Sequence, residues 1–403
     1  MKMLDGIRVL DLTMWAFCPS AGAVLAEWGA DVIHIENPRS PDPMRLFAGG
    51  SLEPSGAHWF FKHYNRGKRA MTLDLASDEG REALYALVRE SDVFLTSFLP
   101  KTRQKLGFDV DQLRAINPNI IYAKGTGAGP LGPESHRGGY DGASWWARGS
   151  LASAAMEVTR TNSPPSMVGH GDGMSGLVFA GGISAALFKR ERSGEAVVVD
   201  SSLMGTAAWF NAPAIIGSGL GPDRGMLGKY IPREMGHWTG AYYRAQDDRY
   251  ILFAFLGDHQ DEFVDLCQLI GRPELVQDPR FTTNVERAAN TLELMAILDE
   301  VFATKPLAEW KTILLPSKGV WAPVQTVLEM YDDPQVQANR MIRMVPDAKE
   351  VQPIVMPPVM FNEDAGPCNP APDFSEHTEE ILRDIAGYDT TRIAALRAAG
   401  AIV

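Results

Sequence analysis

Short apolar runs alternate with helix-like runs over the first 125 residues, and this alternation leaves the chain few architectures. IRVLDL (7–12) reads as a buried strand, AGAVLAEW (21–28) as a short helix closed by Gly29, and DVIHIE (31–36) as a second strand. MTLDL (71–75), a helix from Asp78 to Glu90, VFLTSF (93–98), a short helix from Lys101 to Leu106 and IIYAKG (120–125) continue the pattern. Apolar strands separated by helices predict a parallel sheet covered by helices. Ligands of such sheets gather beyond the C-terminal strand ends. Those ends fall here at Thr13 to Phe17, Asn37 to Arg39, Ala76, and Ser97 to Leu99.

Farther along, MSGLVFAGGISAALFKRER (174–192) is apolar nearly all round, ends in a basic cluster and meets Gly194, which predicts a central buried helix. AVVVDSSL follows as a buried strand. The turn-prone GSGLGPDRGMLGKYIPREMG (217–236) reads as a long connection, and YYRAQDDRYILFAF as a hairpin turning at Asp247-Asp248. Amphipathic helices are expected at 259–270, 285–303 and 307–313, then a Pro-rich return through VQPIVMPPVMF. The expected organisation is a large α/β domain with a Rossmann-like parallel sheet over 1–225, completed by 331–403, and a smaller α+β domain over 226–330.

Several functions are excluded or disfavoured at this level. TMWAFCPSAG replaces the G-x-G-x-x-G expected after the first strand of a nicotinamide-binding unit. Neither a G-x-x-x-x-G-K-[ST] phosphate loop nor an H-E-x-x-H zinc motif occurs. Cys18, Cys267 and Cys368 lack metal or disulfide spacing, so no metal site is expected. A formal charge of −12 disfavours nucleic acid as a partner. No uncharged apolar stretch reaches the roughly 18 residues of a membrane span, and the N-terminus carries acids where a signal peptide would be apolar. A cytoplasmic protein without a membrane partner is expected.

GHGDGMSG (169–176) sets Asp172 between two glycines just ahead of the long apolar run. One reading makes Asp172 a helix N-cap. The other uses the same N–H groups and helix dipole to keep the carboxylate ionised as a nucleophile, with flanking glycines leaving room for a substrate carbonyl. Composition leaves both open.

MLDGIRVLDLT, LAEWGADVIHIENP, NRGKRAMTLDLASDEGREAL, LTSFLP with KLGFD, NPNIIYAKGTGAGPLGP, GGYD, the block from GDGMSG to VVVDSSL, GRPELVQDPRF and the closing SEHTEEILRDIAGYDTTRIAALRAAGAIV resemble, in order, the family III CoA-transferases. The resemblance implies transfer of CoA from an acyl-CoA to a free carboxylic acid. It implies no tightly bound cofactor, CoA thioesters being substrates, and a homodimer of interlocked chains. In that dimer CoA lies near the junction of one subunit's large domain with the other's small domain. It assigns catalysis to Asp172, with N–H groups near Gly171 and Gly173 as candidate oxyanion donors.

The CoA site carries over onto Ala16 and Phe17, onto Leu73, Asp74, Leu75 and Ala76, onto Ser97, Phe98 and Leu99, and onto Lys105 and Arg137 to Tyr140 through Gly138 and Gly139. Two positions depart from the pattern: Asn37 stands where an Arg is frequent and Ser97 where an Asn is frequent. Arg39 and Arg103 are therefore expected, with Lys105, to reach the nucleotide phosphates. Met14, Trp15, Ala16 and Phe17 with Tyr140, Trp145 and Trp146 form a set rich in aromatics, either binding wall or core, from which Met14, Trp15, Tyr140 and Trp145 are expected to hold the acid. Position 16 is Ala where oxalate-handling relatives carry an amide, which points to a bulky or aromatic acid.

Alpha-methylacyl-CoA racemases share the fold and are the alternative. They pair their Asp with a His where this chain has Tyr140, and tyrosine, with a reference pKa of about 10, is a poor base near neutrality. His170 is a further candidate base. A non-catalytic acyl-CoA-binding subunit is the contrasting reading.

Overall fold

The computed structural model describes residues 2–49, 58–162, 168–221, 232–345 and 352–403. The chain divides into two compact units, Met1–Gly228 with Pro334–Val403, and Lys229–Asp333. In the first, β1 (Arg8–Leu12), β2 (Asp31–Glu36), β3 (Arg69–Thr72), β4 (Val93–Thr96), β5 (Ile121–Thr126) and β6 (Val198–Ser202) form one parallel sheet. Its order is β3-β2-β1-β4-β5-β6, so the chain reverses direction across the sheet between β1 and β4. Crevices in such sheets open at that reversal.

Helices join the strands: α1 (Phe17–Glu27), α2 (Trp59–Asn65), α3 (Asp78–Arg89), α4 (Pro100–Leu106), α5 (Val110–Arg114), α6 (Leu151–Thr159), α7 (His170–Ser193), α8 (Leu203–Phe210) and α9 (Ala212–Gly219). Successive strand side chains point to opposite faces. Val9, Val32, Val93, Leu95 and Ile121 pack under α1 and α7, while Leu10, Ile33, Phe94 and Tyr122 pack under α3 and the C-terminal segment. Burial on both faces explains why these strands read as largely apolar runs rather than as strict alternation.

Several boundaries differ from expectation. Helix α1 begins at Phe17 rather than Ala21, and all of it is buried. Strands β3 and β4 stop at Thr72 and Thr96, which leaves Leu73 to Ala76 and Ser97 to Leu99 as loops at the sheet's C-terminal edge. The strand in AVVVDSSL is β6, an edge strand buried only in part, because no seventh strand covers it among the described residues. Helix α7 begins at His170, four residues before the expected start, and is not buried all round. Ser175, Gly176, Phe179, Ala180, Ile183 and Leu187 are covered; Met174, Val178 and Phe188 are exposed. By length and mean hydropathy α7 is able to cross a membrane, but its covered face is core packed on α1.

That packing is close. A Cβ on Gly176 would overlap Ser20 Oγ and stand 2.8 Å from the Phe17 carbonyl oxygen. Ser20 Oγ also donates to the Phe17 carbonyl at 2.7 Å and to the Asp172 carbonyl at 3.2 Å. The glycine lets two backbones meet where a larger residue would part them.

In the second unit, β7 (Tyr242–Arg244), β8 (Tyr250–Phe253) and β9 (Trp321–Pro323) make an antiparallel sheet, the first two as a hairpin around Asp247-Asp248. Helices α10 (Gln260–Leu269), α11 (Asn284–Ala289), α12 (Thr291–Phe302) and α13 (Leu307–Leu314) cover it around Trp238, Phe253, Phe263 and Trp310. The single helix expected at 285–303 is broken at Asn290, whose amide donates to the carbonyls of Arg280 and Glu286. Residues 222–231 of the expected long connection lie outside the described residues.

The chain then returns through α14 (Pro334–Ala338) and a hairpin of β10 (Ile342–Met344) with β11 (Pro353–Val355). Helices α15 (Thr378–Asp384) and α16 (Thr390–Ala398) close the second face of the large sheet with Ile381, Leu382, Ile393 and Leu396. The closeness of α1 to α7 predicts that Gly176→Ala lowers stability by about 1–3 kcal/mol, as overpacking does. Denaturant midpoints measured at an unchanged m-value check this.

Candidate active site

At the reversal between β1 and β4 lies a cavity of about 790 Å³. Met14, Trp15, Phe17 and Cys18 reach it from the end of β1, Ser97 to Pro100 from β4, and Gly125 to Gly127 from β5. Arg137 to Gly142, Trp146, Val168, Gly169, Asp172 and Leu203 complete the wall, with Met44 and Phe60. A smaller cavity of about 260 Å³ lies beyond β1, β2 and β3, lined by Leu73, Leu75, Ala76, Asn37, Ser40, Asp42 and Leu106 among others. Met14 and Phe98 line both.

Asp172 sits in the first turn of α7, not ahead of it. The N-cap is Gly169, whose φ of 78° falls in the left-handed region that favours glycine, and no side chain caps the helix. The N-cap reading of Asp172 is therefore overturned. Each neighbouring glycine meets a close neighbour. A Cβ would strike the Phe60 ring at Gly169, Asp141 and Trp145 at Gly171, and the Tyr64 hydroxyl at Gly173. The glycines fit the turn against its surroundings, where the sequence alone had them clearing space for substrate.

The turn is anchored by Asp141, which the sequence did not single out although it lies in GGYD. Its carboxylate accepts from Gly169 N–H at 2.8 Å and Gly171 N–H at 3.1 Å. Gly173 N–H donates to the Gly169 carbonyl at 2.9 Å. Both expected oxyanion donors are thus engaged, and that expectation is withdrawn. Tyr64 donates to the Gly169 carbonyl at 3.2 Å.

No hydrogen bond reaches the Asp172 carboxylate among the described residues, and the positive end of α7 does not keep it acidic. Burial, then the nearby negative charge of Asp141, push its carboxyl up to about 7. The dipole contribution is small beside desolvation without a partner. Burial likewise raises the Asp141 carboxyl, against the pull of its two N–H donors. Asp172 is therefore a poorly solvated carboxyl facing a cavity, ionised or protonated near neutral pH.

The other expected residues divide. Met14, Trp15, Phe17, Ser97, Phe98, Leu99, Arg137, Gly138, Gly139 and Tyr140 line the large cavity; Leu73, Leu75 and Ala76 line the small one. Trp15 and Tyr140 meet edge to face with ring centroids 5.4 Å apart. Ala16 is fully buried in a cluster with Phe61 and lines neither cavity. Trp145 is buried behind the wall, packed in the core under α7, and Trp146 faces the cavity in its place.

Arg103 does not reach outward as expected. It is buried, donating to Asp109 at 3.1 Å and to the Phe98 carbonyl at 3.1 Å, so it ties α4 to the loop that follows β4. Asp74 is held by Arg39 Nη2 at 2.8 Å, while the Arg39 side chain stays largely exposed. Arg137 pairs with Glu134 at 2.9 Å and is exposed; Lys105 is exposed on α4. His170 is exposed, its ring 6.4 Å from that of Trp146. No cluster of metal-binding side chains occurs among the described residues.

A parallel sheet with a desolvated carboxyl at its reversal point, an aromatic cavity and a second cavity alongside defines an α/β protein with a candidate ligand site at that reversal. Comparison with known proteins places it further. The model of CoA-transferase family III matches residues 4–378, and the chain belongs to that family and is a CoA-transferase. It is 30% identical to the (R)-2-hydroxy-4-methylpentanoate CoA-transferase of Clostridioides difficile, over 97% of each chain. It is 29% identical to the cinnamoyl-CoA:phenyllactate CoA-transferase of Clostridium sporogenes, over 98% of this chain and 96% of that one. The crystal structure of a CaiB/BaiF family protein from Brucella suis superposes with a TM-score of 0.76 at 29% identity, covering 95% of this chain and 99% of that one.

The folded state holds the Asp172 proton more tightly than the unfolded chain, where an aspartate titrates near 3.8. The group therefore subtracts stability as pH rises from about 4, and the loss is complete above about 7. Asp172→Asn is expected to raise Tm relative to wild type at pH 8, with the gap closing towards pH 4. Paired thermal melts across that range check the sign.

Proposed function

We propose that Asp172 is the nucleophile of a CoA transfer to a bulky or aromatic carboxylic acid. The supporting observation is its unpartnered carboxyl on the wall of an aromatic cavity. The ionised carboxylate attacks the thioester carbonyl of the donor and expels CoA thiolate, forming an aspartyl mixed anhydride. The thiolate returns to the aspartyl carbonyl, releases the first acid and leaves an aspartyl-CoA thioester. The acceptor carboxylate attacks that thioester and frees the thiolate, and the thiolate then takes the new acyl group, restoring Asp172. Each step exchanges one acyl bond for another, so no nucleotide triphosphate is consumed.

A raised pKa suits this cycle. The carboxylate becomes a stronger nucleophile than an ordinary aspartate once ionised, and a poorly solvated anion has little water to shed. The acyl group is assigned to the space between Trp15, Tyr140 and Trp146. Ala16, buried away from the cavity, offers no polar group to hold a small dicarboxylate. Relatives named for 4-methylpentanoate and phenyllactate substrates agree with an apolar acid side chain. CoA is assigned to the passage from Met14 and Phe98 into the small cavity, with Arg39 and Lys105 as phosphate partners at its exposed rim. The homodimer is a further element of this reading.

The racemase reading gains nothing from the site, because the side chain at position 140 is a tyrosine and His170 packs on Trp146 outside the cavity lining. Asp172→Ala is expected to abolish transfer while leaving CoA binding within a few fold; wild-type turnover by that variant refutes the assignment. kcat/KM is expected to rise with pH through about 7 as Asp172 ionises. Asp141→Asn, which removes a neighbouring negative charge, moves that rise to lower pH. Among acceptors, aryl and branched acids are expected to outrun oxalate and succinate in a competition assay scored by the acyl-CoA formed.

A further inference from the structure

Trp15 carries the aromatic wall in a conformation that costs energy. Its φ of 71° lies in the left-handed region, unusual for a bulky residue and maintained only where the surroundings hold it. The hold comes from below. Trp15 N–H donates to Asp42 Oδ1 at 3.0 Å, and the same oxygen accepts from Met44 N–H at 2.9 Å. On the other side Met14 N–H donates to Ser97 Oγ at 3.0 Å, so the two residues are pinned from two loops.

The second oxygen of Asp42 has no hydrogen-bonding partner among the described residues, although it is buried. It faces His34 Nε2 at 3.9 Å. That imidazole, fully buried on β2, stands 3.5 Å from Asp11 Oδ2 on β1 and 3.9 Å from Glu36 Oε1 on its own strand. The remaining charged neighbours are already matched: Lys68 Nζ bonds Asp11 at 2.6 Å, and Arg45 bonds Glu36 at 2.7 Å. Of the three carboxylates around His34, Asp42 alone has no Lys or Arg bonded to it among the described residues. It is also the one bonded to the cavity wall.

We propose that Asp42 is a positioning residue for that wall: its carboxylate holds the Trp15 backbone in the left-handed turn that sets the indole against Tyr140, and uptake of a proton at Oδ2, opposite His34, loosens the hold. Charge-assisted bonds to a carboxylate are about twice as strong as neutral ones, so the acid form grips Trp15 less. The uptake falls in an accessible range. Burial pushes the Asp42 carboxyl up to about 6, against attraction from His34 and its two N–H donors and with repulsion from Glu36 added. By contrast Asp11, which burial also pushes up, is held down to about 2 by Lys68 and His34. Two carboxylates facing the same imidazole are thus divided into a fixed anion and a titrating one.

That the wall faces the acid rests on the function proposed above, so the decisive readout is one that needs no turnover. The protein has nine tryptophans, and 5-fluorotryptophan labelling gives each a fluorine resonance, with Trp15 identified by its loss in Trp15→Phe. The Trp15 resonance is expected to titrate with a midpoint near 6, to lose that titration in Asp42→Asn, and to keep it in Asp172→Asn. In His34→Gln, a backup should Asp42→Asn misfold, the midpoint moves up because the attraction that His34 exerts on the carboxylate is gone. A Trp15 resonance indifferent to pH from 5 to 8 overturns the proposal. So does a titration that survives Asp42→Asn, that vanishes in Asp172→Asn, or whose midpoint is unmoved in His34→Gln.

At pH 8 Asp42→Asn is further expected to raise KM for the acceptor acid about fivefold, with a smaller change in kcat. An unchanged KM alongside the expected fluorine titration supports the hold on Trp15 and removes instead the placing of the acid against it.

Discussion

The close approach of α7 to α1 is the contact on which the site depends. Gly176 admits Ser20 and the Phe17 backbone, and Ser20 in turn bonds the Asp172 carbonyl, so the start of α7 is fixed against the start of α1. Gly169, Gly171 and Gly173 extend the same seam past Phe60, Asp141 and Tyr64. Once that turn is seated, Asp172 has nowhere to point but the cavity.

Beneath the cavity the protein buries an unusual amount of charge. Asp11, His34, Glu36, Asp42, Arg45 and Lys68 are all nearly inaccessible. Burying ions costs several kcal/mol each unless partners repay it, and the bidentate Arg45–Glu36 bonds and the three bonds of Lys68 are what such partners look like. Asp42 and Asp172 depart from this: each is a carboxyl lifted by burial with no Lys or Arg bonded to it among the described residues, one under the wall and one in it. Perturbed groups gather where chemistry or its support happens, and of these two Asp42 bonds the Trp15 backbone while Asp172 lines the same cavity as Trp15.

The parallel sheet was legible because its central strands are mostly apolar on both faces, and that pattern survives in one dimension. Strand ends were not. Leu73 and Leu75 prolong the alternation of β3, but Asp74 N–H leaves the sheet to bond the Ala401 carbonyl, more than three hundred residues away, and nothing local announces it. The start of α7 was missed because glycine is a poor helix former, whereas the packing needs glycine at those positions. Arg103 and Lys105 are two apart on one helix, and only the tertiary position of Asp109 decides which is buried. Aromatic neighbours read alike in sequence: Trp145 and Trp146 differ only in which side of the π turn Asp141–Ala147 each occupies. Met14, Trp15, the Ser97 to Leu99 loop, Arg137 to Tyr140 and Asp172 were each marked by their blocks, and they meet at one cavity. Asp42 and His34 carried no signal, being eight residues apart in a loop and a strand.

The central claim is that the desolvated carboxyl of Asp172 becomes covalently loaded. Incubation with a donor acyl-CoA, quenching with hydroxylamine and peptide mapping by mass spectrometry address it directly. The account predicts a hydroxamate on the peptide spanning 169–176, at Asp172, in amounts that rise with donor and vanish when CoA thioester is withheld. Rapid CoA exchange between acids with that aspartate unmodified at every time point would contradict it.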